Sequence, residues 1–201
     1  NREKLLAIGS ASGIVQIAMA TRNWKIAKLC AYTLSSLSMH QGGEATMAAS
    51  QTAITLQTLL PMKGYRLLPL IGQTLYNLTC VENHYKNVER SIKYLTSIMS
   101  LPSAQAGPEY ATWMMKSLVN CCRYSWVRKT IIEDGALPSV LSLLSAIEDR
   151  PNKLELVSLT ATTMHMMSET SGCRIEMIQK GGLDIINSIL PHAEDDSLAV
   201  A

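Results

Sequence analysis

One stretch of this chain is written twice. "EDGALPSVLSLLS" at 133–145 returns as "QKGGLDIINSILP" at 179–191, and Gly135 aligns with Gly181, 46 residues later. A period of ~40–47 residues belongs to arrays of two- or three-helix units. Each unit buries its apolar faces against its neighbours and has no independent core. For a chain of 201 residues the useful count is then repeats, not domains. The expected function moves from a catalytic pocket to an extended surface that binds another macromolecule.

Composition agrees with closely packed helices. Hydrophobic residues make up 47% of the chain, enough for a continuous core, yet Phe is absent and aromatics are only 5%. Leu, Ile, Ala and 11 Met do the packing instead, which disfavours a β-sandwich. No apolar run approaches the ~18–20 residues of a membrane span, and nothing resembles a secretory signal. Cys30, Cys80, Cys121, Cys122 and Cys173 are odd in number and lack CxxC spacing. They sit in apolar helical patterns, where free Cys packs as a small hydrophobe. A reduced, intracellular and cytoplasmic setting is the expectation. Asn77-Leu78-Thr79 fits a glycosylation sequon but falls inside a helical pattern, so it is set aside. The chain starts at Asn1 and stops at "SLAVA", and we expect it to be a piece of a longer array.

Charge is polarised. Residues 1–100 hold 10 Lys+Arg against 4 Asp+Glu, and residues 101–201 hold 8 against 12. That pattern suits a partner of mixed charge, or end-to-end contact between modules. It lacks the continuous basic track that nucleic acid requires.

The clearest unit is 127–169. "VRKTIIEDG" predicts a short helix ending near Gly135. "ALPSVLSLLSA" predicts a second, with Leu137, Val140, Leu141 and Leu144 at helical spacing and Pro138 in its first turn. "EDRPN" at 148–152 is a turn. "KLELVSLTATTMHMMSET" is a long third helix, apolar through Leu156, Leu159, Thr163, Met164 and Met167. The segments "TLSSLS" (33–38), "TLYNLT" (74–79) and "SLVNCC" (117–122) match loosely, and the next step reaches Met166 inside "MHMMS", so one frame links four third helices. The marked positions are Ser36, Asn77, Asn120 and Met166, spaced 41, 43 and 46 apart.

This divides the chain into approximate repeats 1–39 (partial), 44–81, 84–125, 127–169 and 172–191 (partial). In the first, "SGIVQIAMA" aligns with "GALPSVLSL" as a second helix, and the third helix runs over roughly 23–39. Gly42-Gly43, Pro61 to Gly64 and "LPSAQAGPE" (101–109) are the breaks. Residues 192–201, with Glu194-Asp195-Asp196, read as a linker or the start of another third helix.

The short–medium–long helix order resembles an armadillo repeat. Gly135-Ala136-Leu137-Pro138 matches the start of that family's second helix, and Gly181-Gly182-Leu183-Asp184 matches it in part. HEAT repeats are the close rival, and both are α-solenoids. The resemblance implies an all-α, right-handed solenoid of about four and a half armadillo-type three-helix repeats. It also implies a concave groove lined by third helices, whose Asn residues hold the backbone of an extended peptide. A carboxamide offers donor and acceptor together, so a ladder of them can satisfy a main chain without reading side chains. Here the ladder is Ser36, Asn77, Asn120 and Met166; one turn earlier lie Tyr32, Gln73, Lys116 and Thr162. Importin-type arrays carry Trp at that earlier turn and this chain does not, which argues against nuclear-signal peptides. The alternative for Asn77 and Asn120 is that they satisfy neighbouring helices.

Trp113 lies two turns before Asn120. With Lys116, Asn120 and Tyr124 it forms a candidate hot spot, or else packs between repeats. Trp24 and Trp126, near helix starts, read as packing residues. Lys86, Arg90 and Lys93 share one helix face, diluted by Glu89. They fit an acidic partner or anionic lipid head groups, or form a solvated outer face.

Chemistry has little support. The four His (40, 84, 165, 192) fall in separate repeats without a second ligand at zinc spacing. His165 reads as a satisfied core residue. Cys121 and Cys122 point ~100° apart on a helix and make neither chelate nor nucleophile–base pair. "GSASG" at 9–13 has Ala where a nucleophile elbow needs Ser, and lacks the Lys of a phosphate loop. We expect no enzyme, no cofactor and no metal, but a scaffold binding a protein or extended peptide. Nucleic acid is disfavoured, and membrane contact would be peripheral. The alternatives are an architectural spacer in a cytoskeletal, ciliary or trafficking assembly, or a regulatory array joined to an enzymatic domain outside this chain.

Overall fold

A computed structural model describes residues 1–40, 67–80, 108–144 and 151–192, with Ile92, Leu95, Thr96 and Met99. Among the described residues the chain is all-helical, with no strand. The helices are α1 (Arg2–Ala7), α2 (Ser10–Ala20), α3 (Trp24–Ser38), α4 (Leu68–Thr79), α5 (Pro108–Cys122), α6 (Ser125–Glu133), α7 (Ala136–Leu144), α8 (Lys153–Ser168), α9 (Ser171–Gln179) and α10 (Gly182–Ile189). A 3-10 turn, Leu190–His192, follows.

Local chemistry explains the boundaries. Asn23 caps α3, its Oδ1 accepting from the Lys25 amide at 2.9 Å, and the Thr21 hydroxyl oxygen accepts from the Asn23 amide at 3.1 Å. Such caps satisfy amides that have no intrahelical partner. The sharp joints α1–α2, α6–α7 and α9–α10 each turn on a glycine with positive φ: Gly9 (71°), Gly135 (87°) and Gly181 (90°). An L side chain at these backbone angles would be strained.

Gly9 corrects one expectation. The joint equivalent to Gly135 lies there, three residues before the Ser12 that the alignment of "SGIVQIAMA" with "GALPSVLSL" placed opposite Gly135. Three residues is nearly one helical turn, so the apolar stripe tolerates the shift and could not register it. Leu141 is a second correction. It is exposed while Leu143 is fully buried, because Ala136, Val140 and Leu143 centre the inward face and Leu141 falls at its edge.

Among the described residues the four long helices stack in sequence order: α3 on α4, α4 on α5, α5 on α8. The short ones follow, with α6 against α9, α7 against α10, and α8 against both α9 and α10. One continuous apolar core runs from Ala11 to Ile189. The long-helix contacts carry polar ties between residues about forty positions apart. Ser35 donates to Gln73 Oε1 at 3.2 Å, Asn77 Nδ2 to Ser38 Oγ at 2.9 Å, and Asn120 Nδ2 to Thr79 Oγ1 at 3.2 Å. Asn152 Nδ2 also donates to Thr112 Oγ1. These separations of 38 to 41 residues lie near the spacing of the aligned third-helix positions.

The breaks at Gly42-Gly43, 61–64 and 101–107 lie outside the described residues, as do His84, the Lys86/Arg90/Lys93 stripe and Glu194-Asp195-Asp196. No helix among the described residues is long and apolar enough to cross a membrane.

Candidate partner-binding cleft

The N-terminal halves of α4, α5 and α8 line a cleft of about 550 Å³. Leu70 and Gln73 come from α4, Thr112, Trp113 and Lys116 from α5, and Glu155 from α8. Helical spacing puts 109, 112, 113 and 116 on one face, so α5 contributes a stripe and not a point. Trp113 is half-buried, its ring centroid 5.3 Å from that of Tyr76 and tilted by 45°. Lys116 Nζ sits 5.3 Å from the Trp113 ring centroid and 2.6 Å from Glu155 Oε1. The Lys116 and Glu155 side chains are about a third and nearly half exposed. An ion pair that open contributes at most ~1 kcal/mol, so a partner can compete for either member.

No family model, curated protein or solved structure matches this chain.

The structure separates the candidates named from sequence. Gln73, Trp113 and Lys116 share the cleft just described. Asn120 and Tyr124 instead line a smaller hollow of about 200 Å³ with Thr79, Cys80 and Arg123, at the opposite ends of α4 and α5. The expected cluster of Trp113, Lys116, Asn120 and Tyr124 is therefore two sites, because two turns of helix carry Asn120 about 10 Å along the axis from Trp113. Tyr124 faces Trp126, ring centroids 6.2 Å apart. Tyr32 is exposed beside Lys28, whose Nζ lies 5.6 Å from its ring, and Ser36 is half-buried; neither lines these clefts.

The carboxamides have definite partners. Asn77 donates to α3 and Asn120 to the end of α4, where its Nδ2 also reaches Cys80 Sγ at 3.3 Å. Asn120 is 6% exposed. At the next step the pair Asn/Thr becomes Met166/Cys122 in register. A thioether stands where the carboxamide was and a thiol where the hydroxyl was, so polarity is lost on both sides together.

Glu109, Thr112, Asn152 and Glu155 were missed from sequence. A signal existed: Glu109 and Glu155 are 46 residues apart, the period set by Gly135 and Gly181, and both line the cleft. Three further readings need correction. His165 is exposed, not a core residue; Trp126 is half exposed; and Cys80 is exposed while the other four cysteines are buried. Each sits where its helix ends or turns outward, which apolar periodicity does not resolve.

Burial pushes the thiols of Cys121 and Cys122 up. Cys122 reaches about 12; the Arg128 guanidinium pulls it back and Cys173 adds to the rise. The Tyr76 phenol is raised first by Cys80 and then by burial. Folded, these cysteines hold their protons more tightly than at the ordinary thiol value of 9.0. Their contribution to stability is thus complete below about 9 and is lost as pH rises from there toward 12. The urea midpoint should fall between pH 9 and 11, and the Cys121→Ala/Cys122→Ala variant should fall less steeply. An equal decline in the variant would assign the effect to other groups.

Proposed function

We propose that the chain is a right-handed α-solenoid of armadillo type that binds a partner protein or extended peptide across its third helices. The carrying observation is the cleft over three successive long helices, with half-buried Trp113 beside the exposed Lys116–Glu155 pair. Trp supplies a large, rigid anchor with little entropy to lose. The ion pair offers a cation and a carboxylate that can exchange their internal partner for an external one. Nearby Gln73 accepts from Ser35, which leaves its amide hydrogens to meet a main-chain carbonyl. The reading is of a binding module, with chemistry left to other proteins.

The test is selection of peptides from a random display library against the whole chain, followed by titration of the best binder. Trp113→Ala should weaken binding at least about tenfold, equivalent to ~1.4 kcal/mol, and Lys116→Glu should change which charges are selected. Absence of enriched peptides, or binding indifferent to Trp113→Ala, would overturn the reading. Asn77 and Asn120 are unsuitable for this test because their side chains tie neighbouring helices together.

A second reading has one observation in its favour. The carboxamides that would hold a peptide backbone are engaged between helices, as an architectural spacer would use them. In that case contacts lie on the convex face and ends, and Trp113→Ala leaves assembly unchanged.

A further inference from the structure

The cleft over α4, α5 and α8 already holds a cation, and that cation is the chain's own. Lys116 Nζ stands 5.3 Å from the Trp113 ring centroid and 2.6 Å from Glu155 Oε1. An aromatic face and a carboxylate brought together make a place for a positive charge. The remaining charge in the cleft points the same way. Its lining carries two carboxylates, Glu109 and Glu155, against the single ammonium of Lys116. Both acids stand in the first turn of their helices, where the helix dipole favours a negative group. Glu109 precedes Trp113 by four residues and Lys116 follows it by three, so the three share one face of α5 with the ring in the middle.

Lys116 fills this place imperfectly. Its ammonium lies near the ~6 Å limit of attraction to a ring, and its side chain is still about a third exposed. An ion pair this open is held weakly, so a displaced Lys116 returns to water at little cost. An ammonium is also a point charge. A guanidinium is planar, stacks on an aromatic face, and donates two parallel N–H bonds to one carboxylate at the same time.

We propose that the cleft selects an arginine side chain of a partner's extended peptide, which stacks on Trp113, pairs with Glu155 and displaces Lys116. This rests on the reading of the cleft as a peptide site and names the residue it takes. Lys116 is then an internal competitor and not a contact for the partner. Charge complementarity carries the assignment: two carboxylates and an indole face, with one weakly held cation to remove. The cleft lies within the stack of described helices, with α3 packed on α4 before it and α9 and α10 packed on α8 after it. Its shape therefore owes nothing to an open edge. A cation elsewhere in this chain would be tethered at high effective concentration, yet Lys116 is the one in place.

The probe is Nα-acetyl-arginine amide, with its neutral isostere Nα-acetyl-citrulline amide as control, titrated into the isotopically labelled full chain. The indole N–H resonance of Trp113, assigned by its loss in Trp113→Phe, reports binding. We expect a saturable shift with the arginine probe and at least about tenfold weaker binding of the citrulline probe. Lys116→Met should tighten the arginine probe at least about threefold, because a place filled by an internal cation is open only part of the time. Glu155→Gln should weaken it at least about threefold, although that change also frees Lys116. Both side chains are well exposed, and the amide spectrum verifies that the variants fold.

An equal response to the two probes, or none to either, overturns the proposal. So does weaker arginine binding in Lys116→Met. Each leaves the broader reading standing if library peptides still bind in a Trp113-dependent way. Unchanged affinity in Lys116→Met overturns it too, because the chain's own cations would then be refilling the place. A Trp113 resonance that moves with protein concentration makes a second copy the occupant. Failure of both the probes and the library removes the peptide reading along with the proposal.

Discussion

Gly72→Leu is expected to destabilise the protein by about 3 kcal/mol, and Gly72→Ala by about 1. On propensity alone both changes should help, since glycine inside a helix costs ~1 kcal/mol relative to alanine. Packing reverses the sign. A Cβ on Gly72 would meet Trp113 Cβ at 2.9 Å, with Met114 Sδ at 3.6 Å and Tyr110 at 3.7 Å. Trp113 Cβ is fixed to the α5 backbone, so no rotamer change relieves the contact and the two helices must separate. Methyl insertion into a close-packed interface is felt because interiors have no slack. Urea unfolding checks the prediction, and a rise in midpoint for Gly72→Ala would refute the close-approach account. The change should also reach function. Moving α5 from α4 shifts Trp113 relative to Gln73 and Leu70, so the peptide binding proposed for the cleft should weaken even where the protein remains folded.

Arg128→Met should cost about 2 kcal/mol, whereas Glu169→Gln should cost less than ~1. Arg128 is 7% exposed, donates through Nε to the Cys122 carbonyl at 2.7 Å, and places Nη1 2.7 Å from Glu169 Oε2. The carbonyl belongs to the last residue of α5, one of the four that lack an intrahelical donor. Removing the guanidinium strands that acceptor in a buried setting. Removing only the carboxylate charge strands little, because the Glu169 side chain is about half exposed and its ionic contribution is screened. Thermal or urea unfolding of the two variants separates the roles. Equal losses would mean that the ion pair, and not the carbonyl contact, is the source of stability.

Much of the helical layout was readable in the primary structure. The 46-residue echo, the glycines at 135 and 181, and the third-helix frame through Ser36, Asn77, Asn120 and Met166 all concern features that recur. Recurrence is visible without coordinates. The third helix expected at 23–39 is α3, Trp24–Ser38. The site was readable only in fragments. Trp113, Lys116 and Gln73 were identified as groove residues, but their company was wrong: Glu155 joins them and Asn120 and Tyr124 do not. Distance along a helix is arithmetic, but which residues of the next helix arrive opposite depends on how the two are rotated and spaced.

By itself, then, the sequence determined that the described segments are helical and that two of their joints fall at Gly135 and Gly181. Both rest on interactions within a few residues: positive φ at Gly135 and Gly181, and apolar spacing along each segment. The tertiary structure alone decided what the asparagines do, why Gly72 is tolerated in a helix, and where Trp113 points. Those outcomes depend on contacts between residues about forty positions apart. A carboxamide aimed at a peptide and one aimed at a neighbouring hydroxyl are written with the same letter, and only the approach of the next helix distinguishes them.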